Sequence, residues 1–206
     1  EGAAAGPVSL FAVDLAGPGV KRETLASIDP TRSQARIGFS QASAQPLCAA
    51  GDGWAVLSHG FDRAAVLMAF EQLGGADRAL EMGRDYALER MAFGRPIGSF
   101  QAVKHMLADM YVSATLARSN CYYGAWALST EAAELPEAAA TARISATQAF
   151  QHCAKNNIQV HGGMGFTWEY DCHLYYRHAA ATALALGSQT YWENQLIDRM
   201  RFRNAG

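Results

Sequence analysis

Apolar residues recur every three or four positions between residues 99 and 129. Phe100, Val103, Leu107, Met110, Ala114, Ala117, Cys121, Gly124 and Leu128 keep this spacing without a polar exception. The pattern predicts one long helix with a seam for shallow-angle packing against other helices. Ser99 stands where an N-cap belongs. A further helix is predicted from Pro136, whose fixed φ suits a first turn, followed by Glu137, which suits the helix dipole. It runs to about Val160 with Ala142, Ala146, Ala149 and Cys153 on one face, and His161-Gly162-Gly163-Met164-Gly165 ends it. Residues 172–184 and 189–203 predict two final helices, the second capped by Ser188. The pattern is helical and alanine-rich from residue 54 onward. Four long helical stretches with short links predict a mainly α chain built on a four-helix bundle over residues 54–206.

Residues 1–53 read differently. Val8, Leu10, Ala12 and Asp14 alternate with Ser9, Phe11, Val13 and Leu15, so a strand here is apolar on nearly both faces and is expected to be well buried. Gly17-Pro18-Gly19 breaks it, Asp29-Pro30-Thr31 marks a second turn, and Ala35 to Phe39 predicts a second strand. Two or three strands are too few for an independent sheet. The segment is therefore expected to be an incomplete β domain, the remnant of a larger one or one completed by another chain. Glu1 to Pro7 runs directly into the strand-like stretch, as in a chain cut from something longer.

Composition narrows the function classes. Across 206 residues the net charge is −2 and half the residues are apolar, with no basic run of the kind nucleic acid requires. No apolar run is long enough for a membrane span, and no signal-peptide pattern is present. Cys48, Cys121, Cys153 and Cys172 form no CxxC pair and read as reduced, mostly buried thiols of a cytoplasmic protein. His59, His105, His152, His161, His173 and His178 lack metal-ligand spacing. The aromatic group Trp168, Tyr170, Tyr175, Tyr176, Tyr191 and Trp192 is expected to be mainly core.

Two segments exceed generic helix: Arg90-Met91-Ala92-Phe93-Gly94-Arg95-Pro96-Ile97-Gly98-Ser99-Phe100-Gln101 and Gln159-Val160-His161-Gly162-Gly163-Met164-Gly165-Phe166. In this order and separation they resemble the signature segments of the acyl-CoA dehydrogenase family, and the resemblance covers most of residues 54–203. It implies FAD as cofactor, held at a subunit interface of a tetramer. It implies that Arg90 and Phe93 touch a neighbour's flavin, that Gln101 lies near its adenosine half, and that Gln159, Gly162 and Gly163 approach the pyrophosphate and adenine side. A guanidinium and exposed backbone N–H groups suit a diphosphate, and glycines admit a close backbone approach. An acyl-CoA thioester substrate, a homo- or hetero-oligomer and an electron-transfer flavoprotein acceptor are implied in the same way.

The chain departs from the family where the chemistry occurs. The family's usual base is a glutamate before the last helix, and burial can raise such a carboxylate towards neutrality. Leu186 stands there, within Leu184-Ala185-Leu186-Gly187-Ser188. Some members place the base on the first bundle helix, but the matching segment is Asp62-Arg63-Ala64-Ala65. Ala64 replaces that glutamate, and Ala65 replaces an arginine that helps hold the CoA end. Asp62 and Ser188 remain as substrate-side candidates. Glu71 lies two turns beyond Ala64 on the same face, roughly 10 Å along the axis, and is the one candidate for a relocated base. The alternatives for Glu71 are a pair across the bundle or a solvent-facing position. The expected function is therefore an acyl-CoA dehydrogenase-family chain that lends flavin contacts without supplying its own base. The rivals are a flavin-dependent monooxygenase on the same fold and a structural helical subunit without flavin.

Overall fold

The computed structural model describes residues 7–205, so the entry into the first strand at residues 1–6 lies outside the described residues. The chain divides into two compact units, residues 1–61 and 62–206. The first unit holds β1 (Phe11–Val13), β2 (Val20–Leu25), β3 (Gln34–Phe39) and β4 (Ala44–Pro46). β1 pairs antiparallel with β4, and β2 pairs antiparallel with β3 from Val20 opposite Phe39 to Leu25 opposite Gln34. The buried strand expected over Val8 to Leu15 is thus corrected to three mostly exposed residues, and Phe11 and Phe39 stand out to solvent. Two-stranded ribbons cannot cover their own faces. β2 was not foreseen because its centre, Lys21-Arg22-Glu23, shows no apolar alternation. The Asp29 turn is present: the Asp29 carboxylate accepts from the Thr31 N–H at 2.9 Å and from its hydroxyl at 2.6 Å.

Helix α1 (Gly53–Glu89) starts in the first unit, where the Gly53 N–H bonds the Val8 carbonyl at 2.8 Å, and continues through the second. A short hairpin follows, β5 (Met91–Ala92) and β6 (Arg95–Pro96), then α2 (Gln101–Ser129), α3 (Leu135–His161), α4 (Cys172–Leu184) and α5 (Gln189–Ala205). The helical bundle agrees with the sequence pattern, and Met110, Ala114, Ala117, Cys121 and Gly124 of the α2 seam are all buried. Ser99 does not cap α2. The helix starts one residue late because Pro96 leads into a 3₁₀ turn at Ile97–Ser99, and the Ser99 hydroxyl donates to the Pro96 carbonyl at 2.7 Å. Ser188 does cap α5, its hydroxyl accepting from the Tyr191 N–H at 3.2 Å. His161-Gly162 continues into a second 3₁₀ turn, Gly162–Phe166.

The core is lined mostly by alanines: Ala65, Ala69, Ala76, Ala114, Ala117, Ala142, Ala146 and Ala149 are buried. Small side chains let helix axes approach closely, and bulk comes from a few residues such as Phe150 and Met110. The Phe150 ring lies where a Cβ on Gly75 would come within 2.4 Å, whereas a Cβ on Gly74 would meet nothing within 4 Å. Adjacent glycines should therefore respond oppositely. Gly74→Ala is expected to raise unfolding stability by about 0.5–1 kcal/mol through helix propensity. Gly75→Ala is expected to lower it by about 1–3 kcal/mol through overpacking. Denaturant midpoints of the two variants check both signs.

Candidate functional site

The end of the bundle that carries both signature segments is built from the last turns of α1 and α3. The Arg90 N–H closes α1 on the Tyr86 carbonyl, and the Ile97 N–H bonds the Arg90 carbonyl, both at 2.8 Å. Between them β5 and β6 are joined by Phe93-Gly94, with φ of 53° and 78°. Positive φ at both central residues is the turn whose twist matches a two-residue hairpin. Glycine accepts this at no cost, but phenylalanine does not. Phe93 is nevertheless held there with its ring 95% exposed. Gly98 packs against α1, since a Cβ there would come within 2.9 Å of the Ala87 carbonyl. The Arg95 guanidinium lies 4.1 Å from the centre of the Phe100 ring. Gln101 is exposed in the first turn of α2, 3.4 Å from His105 Nε2.

The second segment is joined to the first by aromatic stacking. His161 is buried at the end of α3, and its Nδ1–H donates to the Asn157 carbonyl at 2.8 Å. Its ring stacks on Tyr86 at 4.1 Å and meets Tyr170 edge-on at 5.5 Å. Tyr86 and His161 lie within a turn of Arg90 and next to Gly162 respectively, so this stack brings the two motifs together. Gln159 is exposed. Gly162 has φ of 60° and donates its N–H to the Gln159 carbonyl. Gly163 is different: its φ is ordinary and nothing lies within 4 Å of a Cβ built on it, so the chain itself does not require glycine there. Gly165 is required by packing, since a Cβ there would come within 2.6 Å of the Ile158 carbonyl.

The loop between α4 and α5 is held by Arg143, which sequence patterning does not single out, and by Trp192, expected there only as a core aromatic. Arg143 is 1% exposed. It donates to Gln72 Oε1 at 2.6 Å, to the Thr182 and Ala185 carbonyls at 2.6 and 2.8 Å, and to the Thr147 hydroxyl. Burial without a carboxylate lowers its pKa to about 10, so the guanidinium stays charged at neutral pH. Trp192 Nε1–H donates to the Leu186 carbonyl at 3.1 Å, and Leu186 sits at φ of 58°. The only hint of Arg143 in the sequence is a charged residue with Thr147 one turn on, inside an alanine face.

Two carboxylates of α1, Asp62 and Glu71, are tied to other elements. Asp62 is buried and accepts from Arg199 Nη2 at 2.8 Å, and Arg199 also donates to the Pro136 carbonyl. Glu71 Oε1 accepts from His178 Nε2 at 2.9 Å, across from α1 to α4. Ala64 is half-buried and Ala65 fully buried. Cys121 and Cys153 are buried thiols pushed up to about 12 by desolvation and do not act as nucleophiles. The aromatic group divides: Trp192 is core, whereas Trp168 and Tyr176 are exposed.

Ion pairing marks out the same end of the bundle. Of the second unit's arginines, Arg63, Arg78, Arg84, Arg118, Arg199, Arg201 and Arg203 each meet a carboxylate. Among the described residues Arg90, Arg95, Arg143 and Arg177 do not, and both terminal nitrogens of Arg143 are used internally. Unneutralised guanidinium groups, a bare glycine backbone and an outward phenylalanine fit one edge of a dinucleotide such as FAD.

His161 yields a pH test. Burial holds its pKa below the ordinary imidazole value, against the smaller opposing pull of the Asn157 carbonyl. The unfolded chain is then the better proton binder. The stabilising contribution is complete above the unfolded value of about 6.5 and is lost as pH falls through the folded value. Wild-type stability should drop between about pH 7 and pH 5 more steeply than that of His161→Phe. Parallel curves from chemical unfolding would refute this.

Comparison with known proteins gives a consistent answer. The family model for the acyl-CoA dehydrogenase C-terminal domain matches residues 51–200. The chain is 43% identical over 170 residues to acyl-CoA dehydrogenase IpdE2 of Mycobacterium tuberculosis, covering 81% of this chain and 48% of that relative. It therefore spans about half the length of that protein. Among solved structures, it resembles the Tcur3481–Tcur3483 steroid acyl-CoA dehydrogenase with a TM-score of 0.86 and 28% identity, covering 96% of this chain and 53% of that one. The ChsE4–ChsE5 complex from Mycobacterium tuberculosis matches with a TM-score of 0.81 and 29% identity, over 94% of this chain and 52% of that one. Members of the family are FAD-dependent oxidoreductases, and this chain belongs to the acyl-CoA dehydrogenase family.

Proposed function

We propose that this chain lends FAD contacts to an acyl-CoA dehydrogenase assembly that removes hydrogen from the α,β-bond of an acyl-CoA thioester, while another chain supplies the base. The observation that carries this is Leu186. Its backbone is held in the left-handed region by the Trp192 bond and the Arg143 clamp, so the loop keeps a defined shape around a side chain that cannot accept a proton. Ala64 cannot accept one either. When bound, FAD supplies the hydride acceptor. Arg90, Gln101, Gln159 and the backbone at Gly162 and Gly163 hold its edge, and Phe93 packs on it. Asp62 is committed to Arg199 and positions α5 against α1, and Ser188 caps α5 beside the vacant base position. The likeness to a named two-chain complex supports a hetero-oligomer, and the likeness to a steroid enzyme supports a polycyclic acyl-CoA substrate. An electron-transfer flavoprotein is the acceptor this reading implies.

The purified chain alone, given FAD, an acyl-CoA and an electron acceptor, should show no turnover, whereas the complex with its co-purifying partner should. Robust turnover by the chain alone would overturn the reading. The Glu71–His178 contact supports a second reading in which Glu71 is the base. In that case Glu71→Gln should lower kcat on the order of 10²–10⁴-fold, the usual range for a general base.

A further inference from the structure

Helix α2 carries a second seam on its outer side. Val112, Ser119 and Trp126 recur every seven residues, Thr115 and Tyr122 stand three positions after the first two of them, and Leu116 and Tyr123 four positions after. This is the spacing that supports pairing between helices. It is displaced around the helix from the buried seam of Met110, Ala114, Ala117, Cys121 and Gly124. All seven residues of the outer seam are exposed. Leu116 is 64%, Tyr122 61%, Val112 54% and Trp126 49% open. From Met110 to Ser129 the only charged residue is Arg118, which is bound to Asp77 at 2.7 Å. We propose that this face docks a second copy of the chain, α2 antiparallel to α2, about a two-fold axis at Ser119. The proposal does not rest on the flavin reading.

Three observations carry it. The first is composition. A helix face poor in charge and rich in tyrosine and tryptophan has the make-up of an interface centre. On α5, by contrast, the exposed Ile197, Met200 and Phe202 are interleaved with Asp198, Arg201 and Arg203. The α2 face leaves about 600 Å² of apolar surface open, taking ~150–250 Å² for a whole aromatic side chain. That is large for a patch on a monomer and approaches the roughly 800 Å² per partner of a stable interface. The second is self-complementarity. Leu116, Thr115 and Val112 lie three, four and seven positions before Ser119, and Tyr122, Tyr123 and Trp126 lie three, four and seven after it. Antiparallel pairing sets Leu116 against Tyr122, Thr115 against Tyr123 and Val112 against Trp126 of the second copy, with the two serines at the crossing. Each rung joins a smaller side chain to an aromatic one, which fills the seam evenly. Parallel pairing would crowd aromatics at one end and leave a gap at the other. A two-fold contact needs one surface that fits itself, and this one does. The third is a socket. A groove of about 610 Å³ between α1 and α2 is bordered by Ala108, Tyr111 and Thr115. Together with Val112 these form the four-residue hole that a knob opposite Val112 enters. The knob is Trp126 of the second copy. Its ring is oriented by stacking on Tyr123, with centres 5.7 Å and planes 16° apart, and Tyr122 is braced edge-on by Phe70 at 5.7 Å. Rings fixed beforehand lose little freedom on docking.

The test counts copies of this chain per particle. The protein, with any chain that co-purifies, is weighed by native mass spectrometry and by sedimentation across a dilution series. Each particle should hold two copies of this chain. Trp126→Glu and Leu116→Glu should each raise the concentration at which the copies separate at least about 100-fold, because two uncompensated charges enter one symmetric contact. Helix content by circular dichroism should stay unchanged. Phe202→Glu, the same change at an exposed apolar residue of α5, should keep two copies. Ser119→Cys in a Cys48→Ser background should form a chain-to-chain disulfide under mild oxidation, since the two positions meet on the axis. One copy per wild-type particle, or two copies that persist undiminished in both glutamate variants, overturns the proposal. Loss of a different chain from those variants also overturns it and assigns the seam to that chain. Should the glutamate variants lose helix content, the Ser119→Cys protein decides on an otherwise native face, and no disulfide there overturns the proposal.

Discussion

The buried guanidinium of Arg143 is the interaction on which the α4–α5 end of the bundle depends. It joins α1 through Gln72, α3 through Thr147, and the end of α4 through the Thr182 and Ala185 carbonyls. No carboxylate balances it, so its desolvation is offset by dipoles alone. Two of those dipoles, the Thr182 and Ala185 carbonyls, lie at the end of α4, where helix carbonyls lack partners and the helix end attracts positive charge. One cation thus closes a helix and fixes the next loop. Trp192 holds that loop from the other side. The backbone at Leu186 is shaped by both contacts, whatever side chain stands there.

The alanine-lined core and the exposed contacts are two consequences of one economy of side chains. Close helix packing leaves the interior little room for polar chemistry, and Asp62 with Arg199 and Gln72 with Arg143 are used structurally. The groups left unspent are at one end. Phe93 holds an unfavourable backbone conformation with its ring in solvent, Gly163 is a glycine its own chain does not need, and Arg90, Arg95 and Arg177 lack carboxylates. Such features cost the isolated chain stability and make sense as contacts to something outside it.

Much of the bundle was legible in the sequence because amphipathic spacing over long helices is a repeated signal, and each turn of α2 restates it. The β segment was legible only at the Gly17-Pro18-Gly19 break, the Asp29 turn and β3. The charged centre of β2 and the exposed faces of β1 have no burial pattern to read, because two-stranded ribbons do not impose one. Ser99 misled because a serine before an apolar run is an N-cap only if the backbone enters the helix there, and Pro96 diverts it into a 3₁₀ turn first.

By itself the sequence determined the helical architecture, the two signature segments and the absence of a carboxylate at positions 186 and 64, since those depend on residue identity and spacing. Only the tertiary structure decided what the remaining polar groups do. It placed Glu71 against His178, Asp62 against Arg199 and Arg143 beneath the α4–α5 loop, pairs separated by 107, 137 and up to 42 positions along the chain. The physical reason is that periodicity reports which face of a helix is apolar. It carries no information about which distant element a buried charge will meet, and that encounter decides whether a carboxylate is a base or a brace.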